Sequence, residues 1–160
     1  MNLQKLFDLQ RQLDEHIEKE HPRQDGEDRL AKKILALQVE LGELANEWRG
    51  FKYWSNNQEP RTALTEIPSY AGIPFFTDAK TRNPMLEEYV DCLHFILSIG
   101  LELGIKNILI GNVPRYQTLI EGFLDLFKQV SVLATMPKED VKVQRVHYSE
   151  RLDSSIAYLS

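Results

Sequence analysis

The sequence contains a single cysteine, Cys92, among its 160 residues. An intramolecular disulfide is therefore impossible, and a lone thiol fits a protein of a reducing compartment. The chain also lacks any run that approaches the ~20 consecutive apolar residues of a membrane-spanning helix. Its amphipathic N-terminus lacks the apolar segment of a signal peptide. We therefore expect a cytoplasmic protein without a membrane partner.

The chain has fewer positive than negative side chains: 24 acidic residues outnumber 19 lysines and arginines and give a net charge of −5. That balance argues against sequence-independent binding to a nucleic-acid backbone, so we expect no nucleic-acid partner. If the ligand is anionic, a metal ion is expected to offset its charge.

Strand signals are weak, whereas apolar residues recur at helical spacing along most of the chain. We predict a single all-α domain over residues 1–160, built as a bundle of about five main helices. Prolines, glycine and asparagines interrupt residues 55–82 and predict a long irregular connection, with one short helix at 62–67. A fourth helix is expected after Pro114, and a fifth is expected from Pro137.

The segment 83–104 reads as a central helix that begins after Asn83, a suitable N-cap, and stops at Gly104. One face of this helix carries an apolar line that predicts contact with a core: Leu86, Val90, Leu93, Leu97 and Leu101. The opposite face places Glu88 and Asp91 in line with further apolar residues, so we expect both carboxylates to be drawn into the interior.

A second acidic pair, Glu40 and Glu43, lies on a predicted helix over residues 28–48, for which Asp25 resembles the N-cap. Two helices that each offer carboxylates at positions i and i+3 can supply four oxygen donors to one small space. Oxygen ligands suit Mg²⁺ or Mn²⁺. Zinc is disfavoured, because Cys92 and the four scattered histidines form no ligand cluster.

Two other interpretations of the acidic residues stay open. An isolated E-x-x-D pair commonly meets solvent on a helix surface. The spacing Asp91-x-x-His94 also matches the carboxylate-to-histidine spacing of a ferritin-like di-iron centre. That class repeats Glu-x-x-His on two helices, however, and the helix that carries Glu40 and Glu43 has no histidine.

One polar residue interrupts the apolar stripe of the N-terminal helix. Gln10 falls where another apolar residue is expected, among Leu3, Leu6, Phe7, Leu13 and Ile17. A buried amide needs hydrogen-bond partners. Gln10 is therefore either a satisfied core residue or a ligand contact, for example to the edge of a base.

Aromatic residues flank a lysine just after the acidic helix, in the order Phe51-Lys52-Tyr53-Trp54. Aromatic faces stack on bases, and a lysine contacts phosphate as a point charge. The alternative is that Phe51 and Trp54 close the core beneath a loop. The composition of the segment does not separate these two interpretations.

Three segments together resemble one known family. They are residues 37–47, which contain Glu40-x-x-Glu43, the run 52–54, and residues 86–95, which contain Glu88-x-x-Asp91. The combination is similar to the dimeric dUTPases, which belong to the MazG-like all-α NTP pyrophosphatases with an E-x-x-E and an E-x-x-D motif. The likeness covers the first two helices and the central helix well, and the C-terminal part poorly.

This resemblance implies Mg²⁺-dependent hydrolysis of dUTP to dUMP and pyrophosphate, with Mn²⁺ as a substitute ion, in a homodimer. It implies that Glu40, Glu43, Glu88 and Asp91 bind the metal, and that Glu40 or Glu43 orients or deprotonates the attacking water. It also implies substrate contacts for a wider set of side chains: Gln10, Asp14, Lys52, Trp54, His94, Lys138, Lys142 and Arg145.

The chain departs from the family pattern at two places. Asp14 stands where the family usually has asparagine, four residues after the glutamine. The C-terminal segment 138–146 keeps Lys138 and Arg145 but lacks the two asparagines of the family pattern. Release of pyrophosphate is therefore more firmly implied than the identity of the base.

Three function hypotheses follow. The first is a metal-dependent pyrophosphatase for dUTP or another nucleotide, which requires the four carboxylates for turnover. The second is a helical module that binds nucleotide or metal without turnover, in which a ligand stabilises the fold but yields no product. The third is a structural module in which the acidic residues bind nothing and their neutralisation stabilises the fold.

Overall fold

A computed structural model describes residues 2–67, 69–70, 73–74, 80–105 and 114–136 of the chain. Four helices make up most of these ranges, and they confirm the predicted all-α class: α1 (Leu3–Glu20), α2 (Arg29–Trp48), α3 (Pro84–Glu102) and α4 (Leu119–Thr135). The fifth helix predicted from Pro137 lies outside the described residues. None of the described helices is both long enough and apolar enough to span a membrane.

Each helix begins after a polar side chain that accepts a hydrogen bond from a backbone amide of the first turn, and these N-caps are Asn2, Asp28, Asn83 and Thr118. Asn83 was the predicted cap of the central helix, and it accepts from the Leu86 amide at 3.0 Å. The prediction of Asp25 as the cap of α2 was wrong. Gly26, with φ of 75°, forms a turn first, so the helix begins only after Asp28.

The core lies where α2 packs against α3 and α4, and α1 packs against α3. Leu41 of α2 and Val130 of α4 are completely buried there. The rings of Trp48 and Phe123 pack at a centroid distance of 5.3 Å and close one end of the core. Helix α2 therefore contributes to the core through its contacts with both α3 and α4.

The buried face of α3 differs from the predicted one. Leu86 and Val90 of the predicted apolar line are exposed, at 52% and 39%, whereas Cys92, Ile96 and Ile99 pack in the core. The helix is apolar on almost every side in its C-terminal half, so hydrophobic spacing alone does not indicate which face meets α2. The prediction was therefore wrong for the first two turns.

Helix α1 is anchored by its N-terminal half. The Phe7 ring is buried and approaches Gly100 of α3 so closely that a Cβ atom at that position would lie 3.2 Å from the ring. Leu13 and Ile17, further along α1, are partly exposed and border a cavity between the helices. The contact with Gly100 therefore fixes one end of α1 and leaves its other end beside an open space.

The connection between α2 and α3 contains short strands in place of the predicted helix at 62–67. Strand β1 (Leu64–Glu66) pairs antiparallel with β4 (Lys80–Arg82), and β2 (Ser69–Tyr70) pairs antiparallel with β3 (Ile73–Pro74). A Thr65–Thr81 hydrogen bond crosses the first pair at 3.1 Å. β-Branched side chains favour such a ladder, which accounts for the error.

Candidate active site

Three carboxylates from two helices converge on one small region. Glu40 and Glu43 lie on α2, Glu88 lies on α3, and one oxygen from each is within 4.8 Å of the others. The i, i+3 spacing places the α2 pair on one helix face, and the packing of α2 against α3 brings Glu88 opposite them. The structure thus brings together three of the four predicted metal ligands.

These carboxylates disfavour one another's charge. Burial raises the pKa of Glu40, and the charges of Glu43 and Asp91 raise it further. Burial also raises the pKa of Glu88, followed by the charges of Glu43 and Glu40. No lysine or arginine among the described residues forms an ion pair with any of the four carboxylates. In the chain that the structure describes, the cluster therefore carries uncompensated negative charge.

Asp91, the fourth predicted ligand, lies beside this group. Its charge contributes to the raised pKa values of Glu40 and Glu88, but its oxygens are not among the three that converge. The expectation that Glu88 and Asp91 are both drawn into the interior was wrong for Asp91, which is exposed, while Glu88 is half-buried. Asp91 instead lines the cavity beside α1.

The donor set fits a divalent cation that prefers oxygen. Three carboxylates within reach of one another, without a counter-charge from the described residues, match the ligands of Mg²⁺ or Mn²⁺. A di-iron centre is not supported, because the group contains no histidine and Nδ1 of His94 contacts Gln10 instead.

A cavity of about 950 Å³ opens between α1, α2 and α3. Gln10 and Asp14 of α1 line it from one side, and Asp91 and His94 of α3 line it from the other. This volume lies within the range of small-molecule sites. Since Asp91 also acts electrostatically on Glu40 and Glu88, the cavity adjoins the acidic cluster.

Hydrogen bonds link the polar side chains of this cavity. Gln10 is buried; its Nε2 donates to Asp14 at 2.8 Å and its Oε1 lies 2.6 Å from Nδ1 of His94. Asp14 also accepts from the Ser98 hydroxyl at 2.6 Å and from Lys33 Nζ at 3.3 Å. The structure thus brings His94 of α3 together with Gln10 and Asp14 of α1, which are three of the predicted substrate contacts.

Sequence reasoning missed Lys33 and Ser98. A signal existed for Ser98, which follows His94 by one helical turn and is a polar residue within an apolar run. Nothing comparable marked Lys33, because a lysine near the start of a helix is common on a solvated surface. Its side chain is only 16% exposed and also pairs with Glu102 at 3.2 Å.

The aromatic segment after α2 lies apart from this cavity. Trp54 is 65% exposed and packs edge-on against Phe51 and Tyr53. The alternative in which Phe51 and Trp54 close the core is therefore wrong. Lys52 donates to the Asn46 side chain on α2. Neither Lys52 nor Trp54 lines the cavity that holds Gln10.

The predicted phosphate contacts Lys138, Lys142 and Arg145 lie outside the described residues. Their predicted role in binding substrate stays a prediction. The lysines and arginines that do line the described cavity come from α1, from the start of α2 and from the connector between these helices: Arg11, Arg23, Arg29, Lys32 and Lys33.

Comparison with models of known protein families assigns the chain to one family. A model of the dUTPase family matches residues 2–69 and 76–153, which is most of the chain. Comparison with curated proteins and with solved structures gave no match. The family match spans all four described helices and both acidic pairs. The chain therefore belongs to the dUTPase family, and this membership identifies it as a dUTP diphosphatase, a hydrolase of nucleotide metabolism.

Proposed function

We propose that this chain hydrolyses dUTP to dUMP and pyrophosphate with Mg²⁺ held by Glu40, Glu43, Glu88 and Asp91. The observation that carries the proposal is the convergence of Glu40, Glu43 and Glu88 from two helices without a compensating cation among the described residues. Dependence on a divalent metal is general among dUTPases. A cluster with this donor set is where such an ion would bind.

Magnesium would neutralise charge on the triphosphate and lower the pKa of a bound water. The chain's own residues supply orientation. One carboxylate of the Glu40 and Glu43 pair orients the attacking water and receives its proton, since both lie on one turn of α2 beside the ligands from α3. Because the helices hold these carboxylates in place before substrate arrives, little reorganisation is needed during the reaction.

The nucleoside would occupy the cavity between α1 and α3. Gln10 and His94 present polar atoms there, and Asp14 is hydrogen-bonded to Gln10. Asp91 borders both the cavity and the acidic cluster, so a nucleoside in the cavity would direct its phosphates toward the carboxylates. We propose that Trp54 and Lys52 close on the substrate from the turn after α2, and that Lys138, Lys142 and Arg145 contact its phosphates.

The decisive experiment is a panel of ribo- and deoxynucleoside triphosphates incubated with Mg²⁺, with Mn²⁺ or with EDTA, and scored for monophosphate and pyrophosphate. We expect dUTP to be the preferred substrate and EDTA to abolish release of pyrophosphate. Glu40→Gln and Asp91→Asn should each lower kcat by about 10²-fold or more, in line with the loss of one preorganised charge. Glu20→Gln, an equal charge change at an exposed position of α1, should retain activity.

Two results would contradict this proposal. One is pyrophosphate release that persists in EDTA or in Glu40→Gln. The other is stabilisation of the chain by Mg²⁺ and nucleotide without any product, which would favour a binding module.

We also propose a homodimer, on the basis of apolar side chains that the described fold leaves exposed. They occur one turn apart on three helices, as Leu35 and Val39 on α2, Leu86 and Val90 on α3, and Ile120 and Leu124 on α4. Exposed apolar stripes of this kind mark interaction surfaces. Light scattering should give twice the chain mass, and Leu124→Asp, at the most exposed of the α4 positions, should shift the mass toward one chain. A monomeric wild-type protein would contradict the dimer.

A further inference from the structure

Asp14 is surrounded by hydrogen-bond donors. Its Oδ1 accepts from Gln10 Nε2 at 2.8 Å, and its Oδ2 accepts from Ser98 Oγ at 2.6 Å and from Lys33 Nζ at 3.3 Å. An ionised carboxylate can only accept, so all three contacts are compatible with a single charge state. The charge of Lys33 balances that of Asp14 in this partly buried place.

This arrangement fixes the direction of the Gln10 amide. Gln10 is 4% exposed, so it has little access to water. Because Asp14 has no hydrogen to give, the group of Gln10 that faces it must be the NH₂ group. The oxygen of Gln10 must then face His94, whose Nδ1 lies 2.6 Å away. The positions of the nitrogen and oxygen atoms of the Gln10 amide therefore follow from the hydrogen-bonding capacity of Asp14.

The direction of the amide in turn fixes the proton on His94. A carbonyl oxygen only accepts, so Nδ1 of His94 must carry the hydrogen of this bond. In the neutral imidazole, Nε2 then has a lone pair and no hydrogen. His94 is exposed and lines the cavity, and no hydrogen bond among the described residues uses its Nε2.

We propose that Asp14 is a positioning residue that holds His94 in the Nδ1–H tautomer, so that Nε2 offers an acceptor that reads the N3–H group of a uracil base. This inference rests on the proposed function, in which the cavity holds the nucleoside of dUTP. Uracil carries a hydrogen on N3, whereas cytosine has a lone pair there. An acceptor therefore favours uracil and opposes cytosine. Thymine shares the N3–H group, so this contact does not separate uracil from thymine.

Asp14→Asn gives a sharp test, because it should reverse the whole chain of hydrogen bonds. Ser98 and Lys33 are donors and will select the oxygen of the new amide, which leaves its NH₂ group toward Gln10. Gln10 must then turn its oxygen to position 14 and its NH₂ group to His94. Nδ1 of His94 becomes the acceptor, and the hydrogen moves to Nε2. The cavity would then present a donor, which suits N3 of cytosine.

Asp8→Asn is the matched control. Asp8 lies on the same helix and accepts from Gln4 Nε2 at 3.1 Å, the same i, i+4 pair on an exposed face. The two variants have the same net charge, and Asp14 lines the cavity whereas Asp8 does not.

The first measurement is the tautomer of His94, read from long-range ¹H–¹⁵N NMR spectra of ¹⁵N-histidine protein, with His94→Gln used to assign its signals among the four histidines. Wild type and Asp8→Asn should show hydrogen on Nδ1, and Asp14→Asn should show it on Nε2. Addition of dUMP should shift the Nε2 signal of the wild type, and dCMP should not. Hydrogen on Nε2 in the wild type, or equal responses to dUMP and dCMP, would overturn the proposal even if Asp14→Asn does not fold.

The second measurement is the ratio of kcat/KM for dUTP to that for dCTP. This ratio should fall at least tenfold in Asp14→Asn and stay unchanged in Asp8→Asn, because a mismatched buried hydrogen bond is costly. An unchanged ratio despite a reversed tautomer would overturn the role in base reading. If the wild type released no pyrophosphate from dUTP, the proposed function would fail, whereas the tautomer and the dUMP response would still decide the present inference.

Discussion

Carboxyl oxygens of Glu40 on α2 and Glu88 on α3 lie within 4.8 Å of each other. Burial raises the pKa of both groups, the charges of Glu43 and Asp91 raise both further, and the charge of Glu40 adds to the shift of Glu88. Repulsion of this kind costs folding free energy and is retained where it serves a ligand. A change at Glu40 or Glu88 should therefore alter the stability of the fold, the pH dependence of that stability and the binding of metal.

The first prediction is that Glu88→Gln stabilises the metal-free fold while it abolishes activity. Removal of one charge relieves repulsion with Glu40 and Glu43, and we expect the free energy of unfolding in EDTA to rise by a few tenths to about 1 kcal/mol. The measurement is denaturant unfolding in EDTA and in Mg²⁺. Mg²⁺ should stabilise the wild type more than the variant, since the variant lacks a ligand.

Glu20→Gln serves as the control for this prediction, because Glu20 is exposed at the end of α1. Its stability should respond to Mg²⁺ as the wild type does. If Glu88→Gln were destabilised in EDTA as much as in Mg²⁺, the carboxylate would have a structural role and the repulsion argument would fail.

The second prediction concerns the pH dependence of the metal-free protein. The pKa values of Glu40 and Glu88 are raised in the folded state above their ordinary value of 4.5. The folded chain then binds protons more tightly than the unfolded chain, so these residues favour folding below pH 4.5, and their contribution is lost as the pH rises through the raised pKa. Metal affinity should change in the opposite sense and increase with pH, because protons compete for the carboxylates.

Other groups act with the reverse sign. The Arg23 hydrogen bond, followed by that from Lys33, lowers the pKa of Glu102, and Arg29 lowers the pKa of Glu27 to about 2. Their stabilisation is lost as the pH falls. Glu102 and Glu27 are present in the wild type and in Glu40→Gln, so the difference in stability between these two proteins, measured by melting in EDTA at each pH, isolates the acidic cluster. The variant should become more stable than the wild type from about pH 4.5 upward. A stability difference that does not change with pH would contradict the raised pKa of Glu40.

The sequence predicted the parts of this site that depend on local spacing. Glu40 and Glu43 are three residues apart on a helix, so their common face follows from helical geometry. Asn83 and Pro84 mark the start of α3 for the same local reason. Local spacing allows Glu88 to meet the α2 pair but does not require it, and the resemblance to the family implies that contact.

The parts that could not be predicted depend on tertiary contacts. The C-terminal half of α3 is apolar on most sides, so its buried face is selected by α2 and not by its own pattern. Lys33 meets Asp14 only because α1 docks beside α2 and α3, and a lysine on a helix gives no sign of such a partner. The Thr65–Thr81 ladder likewise joins residues that local spacing does not relate.

The third prediction is that the core is far more sensitive to truncation than the exposed apolar stripe of the same helix. Leu41 of α2 is completely buried, whereas Leu35 is 61% exposed. Leu41→Ala should lower the free energy of unfolding by about 2–5 kcal/mol through lost burial and the cavity left behind. Leu35→Ala should cost under about 0.5 kcal/mol within a single chain. Thermal and denaturant melts compare them, and a cost at Leu35 that varies with protein concentration would place it at the dimer interface.

The last prediction concerns Trp54, whose exposed ring is supported edge-on by Tyr53 at 5.1 Å and Phe51 at 5.7 Å between centroids. Stacking on a base is worth about 1–3 kcal/mol, so Trp54→Ala should lower kcat/KM for dUTP by roughly 5- to 150-fold. Because the ring is outside the core, the melting temperature should hardly change. Trp48→Phe leaves Trp54 as the single tryptophan, and its fluorescence should then respond to dUMP. An unchanged spectrum together with full activity of Trp54→Ala would show that this segment does not touch the nucleotide.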